Sequence, residues 1–263
     1  RQPSPATTVD PAVIDHVVEK RVPLDKEIER ARAIVGKGRA AVVNMFGELR
    51  MGKAMEVANV VPVVDEINRS LERNTNALLS VVRLKTADDY TYMHSVAVCG
   101  LMVALGRQCG LEGEELRLSG VAALLHDVGK VAMPLEVLNK PGKLTDDEFA
   151  IMKSHPGKGW EMLRKSGAVD ETPLDICLHH HERIDGNGYP EKISGAALTL
   201  HARMSAICDV YDAITSDRPY KSGWAPAESI KRMTEWCNGH FDETLFKAFV
   251  KTVGIYPAGS LVR

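Results

Sequence analysis

The stretch that decides the fold is LLHDVGK, residues 124–130, where an apolar helical pattern ends in a histidine next to an aspartate. The apolar residues before this pair predict a buried helix, so His126 and Asp127 come to the edge of the protein interior. An imidazole and a carboxylate buried side by side are costly unless something pairs with them, and a divalent metal ion is a suitable partner. An isolated pair of this kind is more often a solvated helix end than a metal site. Further potential ligands elsewhere in the chain are therefore needed to support a metal site.

Residues with the same chemistry are spread along the chain. Seven of the nine histidines fall within residues 94–201, and three of them are consecutive in HHHE, residues 179–182. Asp209 lies within the apolar pattern AICDVY, where an aspartate is more often a ligand or a buried acceptor than a surface charge. His94 faces apolar residues on an earlier helix, and a satisfied core histidine would be its default interpretation.

Two further segments follow the histidine-rich stretch. DGNGYP, residues 185–190, is too rich in glycine for a helix and predicts a tight loop beside the histidines. TSDRPYK, residues 215–221, follows the helix of Asp209 and places an arginine and a lysine three residues apart. Both cations could face one anionic ligand, since a guanidinium suits bidentate phosphate contact and an ammonium acts as a point charge.

Together these segments resemble the HD superfamily of metal phosphohydrolases. The DGNGYP loop narrows the resemblance to the HD-GYP subgroup, whose enzymes open the bacterial second messenger cyclic di-GMP, and the match runs from about residue 88 to residue 253. The resemblance implies an all-α, HD-type helical bundle. It also implies a metal-dependent phosphodiesterase that hydrolyses cyclic di-GMP to pGpG, to GMP or to both.

The resemblance implies a set of metal ligands as well. One side of the metal cluster would be held by His94, His126, Asp127 and Asp209, and the other by His155, His180 and His181. Asp127 would bridge the two ions and so take part in catalysis. A mixed nitrogen and carboxylate shell suits iron, manganese or another six-coordinate ion better than structural zinc. Two adjacent cations lower the pKa of a shared water, whose hydroxide would attack phosphorus, and they neutralise the phosphoryl oxygens.

Substrate contacts are implied at three positions. Lys130, one helical turn from His126, resembles the family lysine that contacts the scissile phosphate, where it would stabilise developing charge. Arg218 and Lys221 match positions that bind the dinucleotide phosphates. The loop motif comprises Asp185, Gly186, Gly188, Tyr189 and Pro190. In the family this loop contacts cyclic-di-GMP-synthesising GGDEF proteins, which makes such a protein a candidate partner, while Asp185 is expected to brace the loop or a ligand histidine.

The number of ions depends on the residue one turn before His94. Some HD-GYP proteins resemble a three-metal arrangement in which a glutamate at that position recruits the third ion, but here it is Tyr90, a poor ligand when neutral. Asp88 and Asp89 are better placed to cap the helix. We therefore predict two metal ions. His179 matches no ligand position, since three consecutive helical residues point about 100° apart, and His201 is expected to be a packing or surface residue.

The remaining pattern is helical. It predicts helices over residues 24–35 and 39–51 separated by glycines, a long helix over 54–84 bent near Pro62, and a capping box in TDDE at residues 145–148. The helix opened by that box is expected to reach about residue 154, with His155 at its end. Residues 1–84 are predicted to form a helical, non-catalytic extension, either regulatory or part of an upstream domain, that orients residues 85–263 and supports a homodimer.

Composition excludes several classes of protein. The net charge of −2 comes without the basic stripe of a nucleic-acid duplex binder, and no apolar run reaches the roughly 20 residues of a membrane span. The five cysteines are separated and odd in number, which favours reduced thiols and a cytoplasmic location. Two alternatives stay open: another HD hydrolase acting on a related cyclic dinucleotide or other phosphoester, and a non-catalytic receptor or adaptor that binds GGDEF proteins.

Overall fold

The computed structural model describes residues 22–53, 55–83, 90–167, 170–217 and 222–255, and these form an all-helical bundle. None of the described residues is in a β-strand, so the predicted all-α class is confirmed. Short 3₁₀ helices link some of the α-helices, most notably at residues 128–132. The α-helices are α1 (Leu24–Arg50), α2 (Val61–Val82), α3 (Tyr90–Gln108), α4 (Gly113–Leu125), α5 (Leu135–Leu138), α6 (Asp146–Met152), α7 (His155–Ser166), α8 (Glu171–His179), α9 (Leu200–Thr215), α10 (Pro226–Trp236) and α11 (Glu243–Val253).

Helix α3 is the centre of the bundle. Every residue from 96 to 105 is buried, because the sequence there is apolar on all sides and α1, α2, α4, α9 and α11 pack around it. A helix that is apolar all round has no face to offer to water and must be enclosed. His94 lies just before this stretch, so the most buried helix of the protein holds it in place.

The N-terminal helix is longer than the sequence predicts. We expected a break at the glycines of residues 36–38, but α1 continues through them to Arg50, so that prediction is wrong. The reason lies in packing: a Cβ atom on Gly38 would come within 3.2 Å of Val96 and 3.3 Å of Val63. A larger residue at position 38 would crowd these two valines, because α1 crosses α2 and α3 closely, and the burial of α1 outweighs the weak helix propensity of glycine.

Helix α2 is interrupted at a different place from the one predicted. Pro62 lies in its first turn, where the missing N–H is tolerated, and the predicted bend there is wrong. The helical backbone is broken instead at Asn74, which has φ −164° and ψ 98°. The side chain of Asn74 accepts a hydrogen bond from the Ala77 N–H and donates one to the Val22 carbonyl. It therefore caps the second half of α2 and attaches the chain before α1.

A buried carboxylate joins α1 to α2. Glu27 is fully buried and accepts hydrogen bonds from Ser70 Oγ at 2.8 Å, Arg73 Nε at 2.8 Å and Arg73 Nη2 at 2.7 Å. Burial raises the pKa of Glu27, but the hydrogen bonds from Arg73 and Ser70 outweigh it and hold the pKa below its ordinary value. This pair stabilises the fold at neutral pH and loses that effect as the pH falls through the lowered pKa.

We expect Arg73→Met to lower the free energy of unfolding by about 3 kcal/mol, because it leaves the Glu27 carboxylate buried without its main partner. The double variant Glu27→Met/Arg73→Met should recover most of the loss, since it removes both charges. Urea denaturation at pH 7 measures both effects. Equal stability of the single variant and the unaltered protein would show that the pair contributes nothing.

None of the described helices is both long enough and apolar enough to cross a lipid bilayer. The boundary predicted near residue 84 lies in residues 84–89, outside the described residues, and stays a prediction. Helices α1 and α2 contribute to the same apolar core as the helices that follow.

Candidate metal centre

The histidine–aspartate pair lies where α4 ends. His126 is the residue after the last turn of α4, and the backbone passes at Asp127 into the 3₁₀ helix of residues 128–132. This turn packs backbone to backbone on α7: a Cβ atom on Gly129 would lie 1.9 Å from the His155 carbonyl oxygen and 2.5 Å from the Gly159 nitrogen. The close contact fixes Asp127 relative to His155.

The sequence predicted His155 at the end of a helix, but in the structure His155 is the first residue of one. The capping box at Thr145 and Glu148 is confirmed, yet the helix that it opens stops at Met152. Helix α7 then starts at His155 itself, with Pro156 in its first turn. Proline is acceptable in the first turn of a helix, and Gly159 lets α7 pack closely on Gly129.

Three of the predicted ligand imidazoles are oriented by backbone carbonyls. A carbonyl can only accept a hydrogen bond, so Nδ1 of each ring carries the proton and Nε2 presents a lone pair to the cluster. These bonds join His126 Nδ1 to Ala123 O at 2.7 Å, His155 Nδ1 to Met152 O at 2.8 Å and His180 Nδ1 to Ile176 O at 3.1 Å. The last turns of the preceding helices thereby set the tautomer that metal binding requires.

The ligand atoms fall into two groups, and the carboxylate of Asp127 reaches both. One group is His94, His126 and Asp127, and the other is His155, His180 and His181. Oδ2 of Asp127 lies 3.4 Å from His126 Nε2 and 3.7 Å from His94 Nε2. Its Oδ1 lies 3.2 Å from His155 Nε2 and 3.8 Å from His180 Nε2. Each oxygen therefore faces a different group.

Asp209 also spans the two groups. Its Oδ1 lies 2.9 Å from His94 Nε2, and its Oδ2 lies 3.5 Å from His181 Nδ1. The sequence predicted contact with the first group only. Seven predicted ligands from helices α3, α7 and α9 and from the ends of α4 and α8 thus converge on one place.

The electrostatics of the site keep four of the predicted ligands in the forms that bind cations. His94 differs: burial lowers its pKa, but the hydrogen bonds to Asp209 and Asp212 outweigh it and raise the pKa, so a metal ion would displace a proton from this ring. Burial raises the pKa of Asp127, but the Lys130 ammonium and His126 outweigh it and hold the pKa well below its usual range. Burial raises the pKa of Asp209 too, but the hydrogen bond from His94 outweighs it and leaves the pKa lowered. Burial lowers the pKa of His180 well below its usual value and that of His181 to about 3. At neutral pH both carboxyls are ionised, and His180 and His181 are neutral.

Unpartnered atoms inside the cluster show that it fits divalent cations. His126 Nε2 and Asp127 Oδ1 are buried without a hydrogen-bond partner among the described residues. His155 Nε2 and His180 Nε2 lie 3.2 Å apart, although both rings donate through Nδ1, so two lone pairs face each other. Buried acceptors gathered in this way are costly unless a cation lies among them.

Sequence reasoning missed Asp212, which lies behind His94. Its Oδ2 is 2.6 Å from His94 Nδ1, both side chains are buried, and Ser216 Oγ donates to the Asp212 carbonyl one turn later. A carboxylate on Nδ1 directs the other nitrogen of the ring towards the metal and increases its basicity. The spacing of three residues from Asp209 on an apolar helix was the available signal, because it puts both aspartates on one face.

Asp212→Asn should weaken metal binding about 10- to 100-fold while the helical content stays unchanged, because His94 loses the acceptor that orients it. Metal titration followed by elemental analysis measures the effect. Asp175→Asn is the matched control, since Asp175 binds His179 and Thr199 instead of a predicted ligand. Unchanged affinity in the Asp212 variant would refute the orienting role.

The DGNGYP loop is held by Glu182. This buried residue accepts hydrogen bonds through Oε1 from the N–H groups of Glu191 at 2.7 Å and Lys192 at 2.8 Å. Gly188 packs against it so closely that a Cβ atom would lie 2.4 Å from the Glu182 Cα. Asp185 is near the surface, pairs with Arg183 and accepts from the Asn187 N–H. The buried brace next to the ligand histidines is therefore Glu182, while Asp185 shapes the exposed tip.

The other residues singled out from the sequence lie in different surroundings. Lys130 Nζ is 2.6 Å from Asp127 Oδ2, at the edge of the cluster. The ring of His179 points away from the cluster, with Nδ1 2.8 Å from Asp175 Oδ1 and Nε2 3.2 Å from Glu191 Oε2. The ring of His201 is also outside the cluster, with Nε2 3.7 Å from Glu115 Oε1. Arg218 and Lys221 are outside the described residues.

The chain matches the family model described as HD domain over residues 65–245, which is more than half of its length. A cyclic di-GMP phosphodiesterase of Pseudomonas aeruginosa is 58% identical over 243 residues, covering 92% of this chain and 58% of that protein. The cyclic di-GMP phosphodiesterase response regulator RpfG of Xanthomonas campestris is 40% identical over 162 residues, covering 61% of this chain and 42% of that protein. The chain thus spans about half the length of these relatives.

Among solved structures, an HD-G"Y"P protein from Bdellovibrio bacteriovorus superposes with a TM-score of 0.68 at 20% identity, covering 86% of this chain and 76% of that one. At this identity the likeness concerns the fold, and it agrees with a helical bundle of the HD type. The resemblance to HD-GYP proteins is confirmed, and the chain belongs to the HD domain family.

Proposed function

We propose that this protein is a metal-dependent phosphodiesterase that hydrolyses cyclic di-GMP to pGpG, to GMP or to both. The observation that carries the proposal is the Asp127 carboxylate, which directs one oxygen to each of two groups of imidazole nitrogens. An arrangement of this kind suits a pair of cations that share one ligand. The names of the similar proteins from Pseudomonas and Xanthomonas support the choice of substrate.

The proposed cofactor is a pair of iron or manganese ions. The ligands would be His94, His126, Asp127, His155, His180, His181 and Asp209, a set of nitrogen and carboxylate donors that suits these metals. Such ions supply an activated water and neutralise phosphoryl oxygens. The count of two rests on Tyr90 in place of a carboxylate, and the side chain of Tyr90 is outside what the structure describes.

The chain's own contribution to the chemistry comes from Asp127 and Lys130. Asp127 fixes the spacing of the two ligand groups. Lys130 places an ammonium 2.6 Å from Asp127 Oδ2 with its side chain 19% exposed, so the cation lies at the border between the cluster and solvent. From there it would bind the scissile phosphate and stabilise charge on the departing 3′ oxygen. Arg218 and Lys221 are proposed to bind the dinucleotide phosphates.

Partners and location remain proposals. A GGDEF protein would bind through the DGNGYP loop, whose tip at Asp185 and Asn187 is exposed. A homodimer would form through the N-terminal helices. All five cysteines are free thiols, which supports a cytoplasmic location.

Turnover of cyclic di-GMP by the purified protein tests the proposal. The protein is loaded with Mn²⁺ or Fe²⁺ and incubated with cyclic di-GMP, 3′3′-cyclic GMP-AMP or linear pGpG, and the products are separated by chromatography. We expect metal-dependent hydrolysis, with cyclic di-GMP as the preferred substrate. If the protein binds cyclic di-GMP tightly but hydrolyses it with neither metal, the receptor function is favoured. Faster hydrolysis of cyclic GMP-AMP than of cyclic di-GMP would overturn the assigned substrate.

A further inference from the structure

The metal cluster reaches solvent on one side, and aromatic rings line that side. The side chains of His94, His126, Asp127, His155 and His180 are at most 2% exposed, whereas His181 is 23% exposed. The ring of Tyr189 lies against His181, with the centroids 4.7 Å apart and the planes tilted by 32°. Tyr189 therefore covers the ligand that faces outwards.

The aromatic wall continues from Tyr189 to Phe149. The two ring centroids are 6.5 Å apart in an edge-to-face arrangement, and Phe149 is 47% exposed. Three rings thus lead from a predicted metal ligand to the surface. Exposure of a large aromatic side chain to water is unfavourable in free energy. An exposed ring at the opening of a site can therefore bind another flat ring by stacking.

Helix α6, which carries Phe149, is held in place although it buries none of its own residues. Its first turn is closed by the capping box of Thr145 and Glu148, and Lys140 Nζ binds Glu148 Oε2 at 2.5 Å. Polar contacts at the start of the helix therefore help to place Phe149, whose ring stays exposed. Such a helix presents an apolar side chain to solvent at a defined place.

A cation accompanies the exposed ring. Lys153 Nζ lies over the ring of Phe149, 5.0 Å from its centroid, and belongs to the residue one turn further along the chain and two residues before His155. A nucleotide bound at Phe149 would meet a positive charge suited to its phosphate. Aromatic ring and cation together match a purine nucleotide better than a purely apolar partner.

Resting on the proposed function, we infer that Phe149 is a stacking platform for one guanine base of the cyclic dinucleotide. The base would replace the Lys153 ammonium over the ring, and that ammonium would bind a phosphate. The platform would add to substrate affinity without touching the reacting atoms. Stacking of a base on an aromatic side chain strengthens binding about 5- to 150-fold. An exposed ring belongs at the lower end of that range, and about 1.4 kcal/mol corresponds to a tenfold change.

The test compares Phe149→Ala, Phe149→Trp and Ile151→Ala in the metal-loaded full chain with cyclic di-GMP. Ile151 is the matched control, because it is 39% exposed on the same helix. We expect Phe149→Ala to raise KM about tenfold with kcat changed less than about twofold, Phe149→Trp to restore KM, and Ile151→Ala to change neither. Metal content should be the same in all three variants.

Other outcomes would overturn the inference in distinguishable ways. Unchanged KM in Phe149→Ala, while the unaltered protein turns over cyclic di-GMP, would remove the stacking role and leave the proposed function standing. Unchanged kinetics with weaker self-association in sedimentation would assign the surface to a second copy of the chain. A parallel loss of metal and kcat would mean that Phe149 only supports His155. No turnover by the unaltered protein would overturn the proposed function and the stacking role with it.

Discussion

Asp127→Asn should abolish hydrolysis, with kcat reduced at least about a thousandfold, and should remove most of the bound metal while the helical content is retained. The substitution keeps the size of the side chain but removes the negative charge that faces both ligand groups, so both of the proposed cations would lose a ligand in one step. A thousandfold loss corresponds to about 4 kcal/mol of transition-state stabilisation. Elemental analysis, circular dichroism and turnover of cyclic di-GMP measure the three parts of the prediction.

His179→Ala is the control for this experiment. His179 precedes the ligand pair directly in sequence, but its ring binds Asp175 and Glu191 outside the cluster. The variant should keep its metal. Full metal content in the Asp127 variant, or loss of metal in the His179 variant, would show that the wrong residues have been identified as ligands.

Gly129→Ala should also reduce stability and activity, although Gly129 is not a predicted metal ligand. The new methyl group would lie only 1.9 Å from the His155 carbonyl oxygen and would clash with it. The atoms around it belong to the backbone, so no flexible side chain can move aside to make room. Overpacking of this kind costs about 1–3 kcal/mol or more in stability. The turn must move, and a displacement of about 1 Å between Asp127 and His155 can reduce the rate about a hundredfold.

Gly157→Ala is the matched substitution on the neighbouring helix. A Cβ atom there would meet nothing within 4 Å, so this variant should be unchanged or more stable, by up to about 1 kcal/mol. Thermal melting and metal content of both variants test the pair. Equal behaviour of the two glycine variants would show that the contact between the turn and α7 does not position the site.

The predicted ligand set came from the resemblance to HD-GYP proteins, and some of its members also stand in distinctive local patterns. The pair at residues 126–127 ends an apolar helix, and Asp209 interrupts another. What local patterns do not contain is contact between distant segments. Gly159 in α7 packs on Gly129, and Gly38 in α1 packs on Val96. In both places a close contact with a distant segment favours a glycine that helix propensity disfavours.

The same distinction applies to the polar residues around the site. Asp212 and Glu182 hold a ligand ring and a loop through contacts that only the folded chain brings together. Asp209 was predicted for one ligand group, but its two oxygens face both, which follows from the placement of α8 against α9. Sequence patterns identified residues that could bind a cation and missed the residues that orient them.

The apolar core runs without interruption from Ala31 in α1 to Val253 in α11. Heat or denaturant should therefore melt the first two helices and the histidine-bearing helices in one cooperative transition. Metal ions that bind the folded state shift that transition upwards by mass action. Conversely, a substitution in α1 that favours the unfolded chain lowers the occupancy of a metal centre that it never touches.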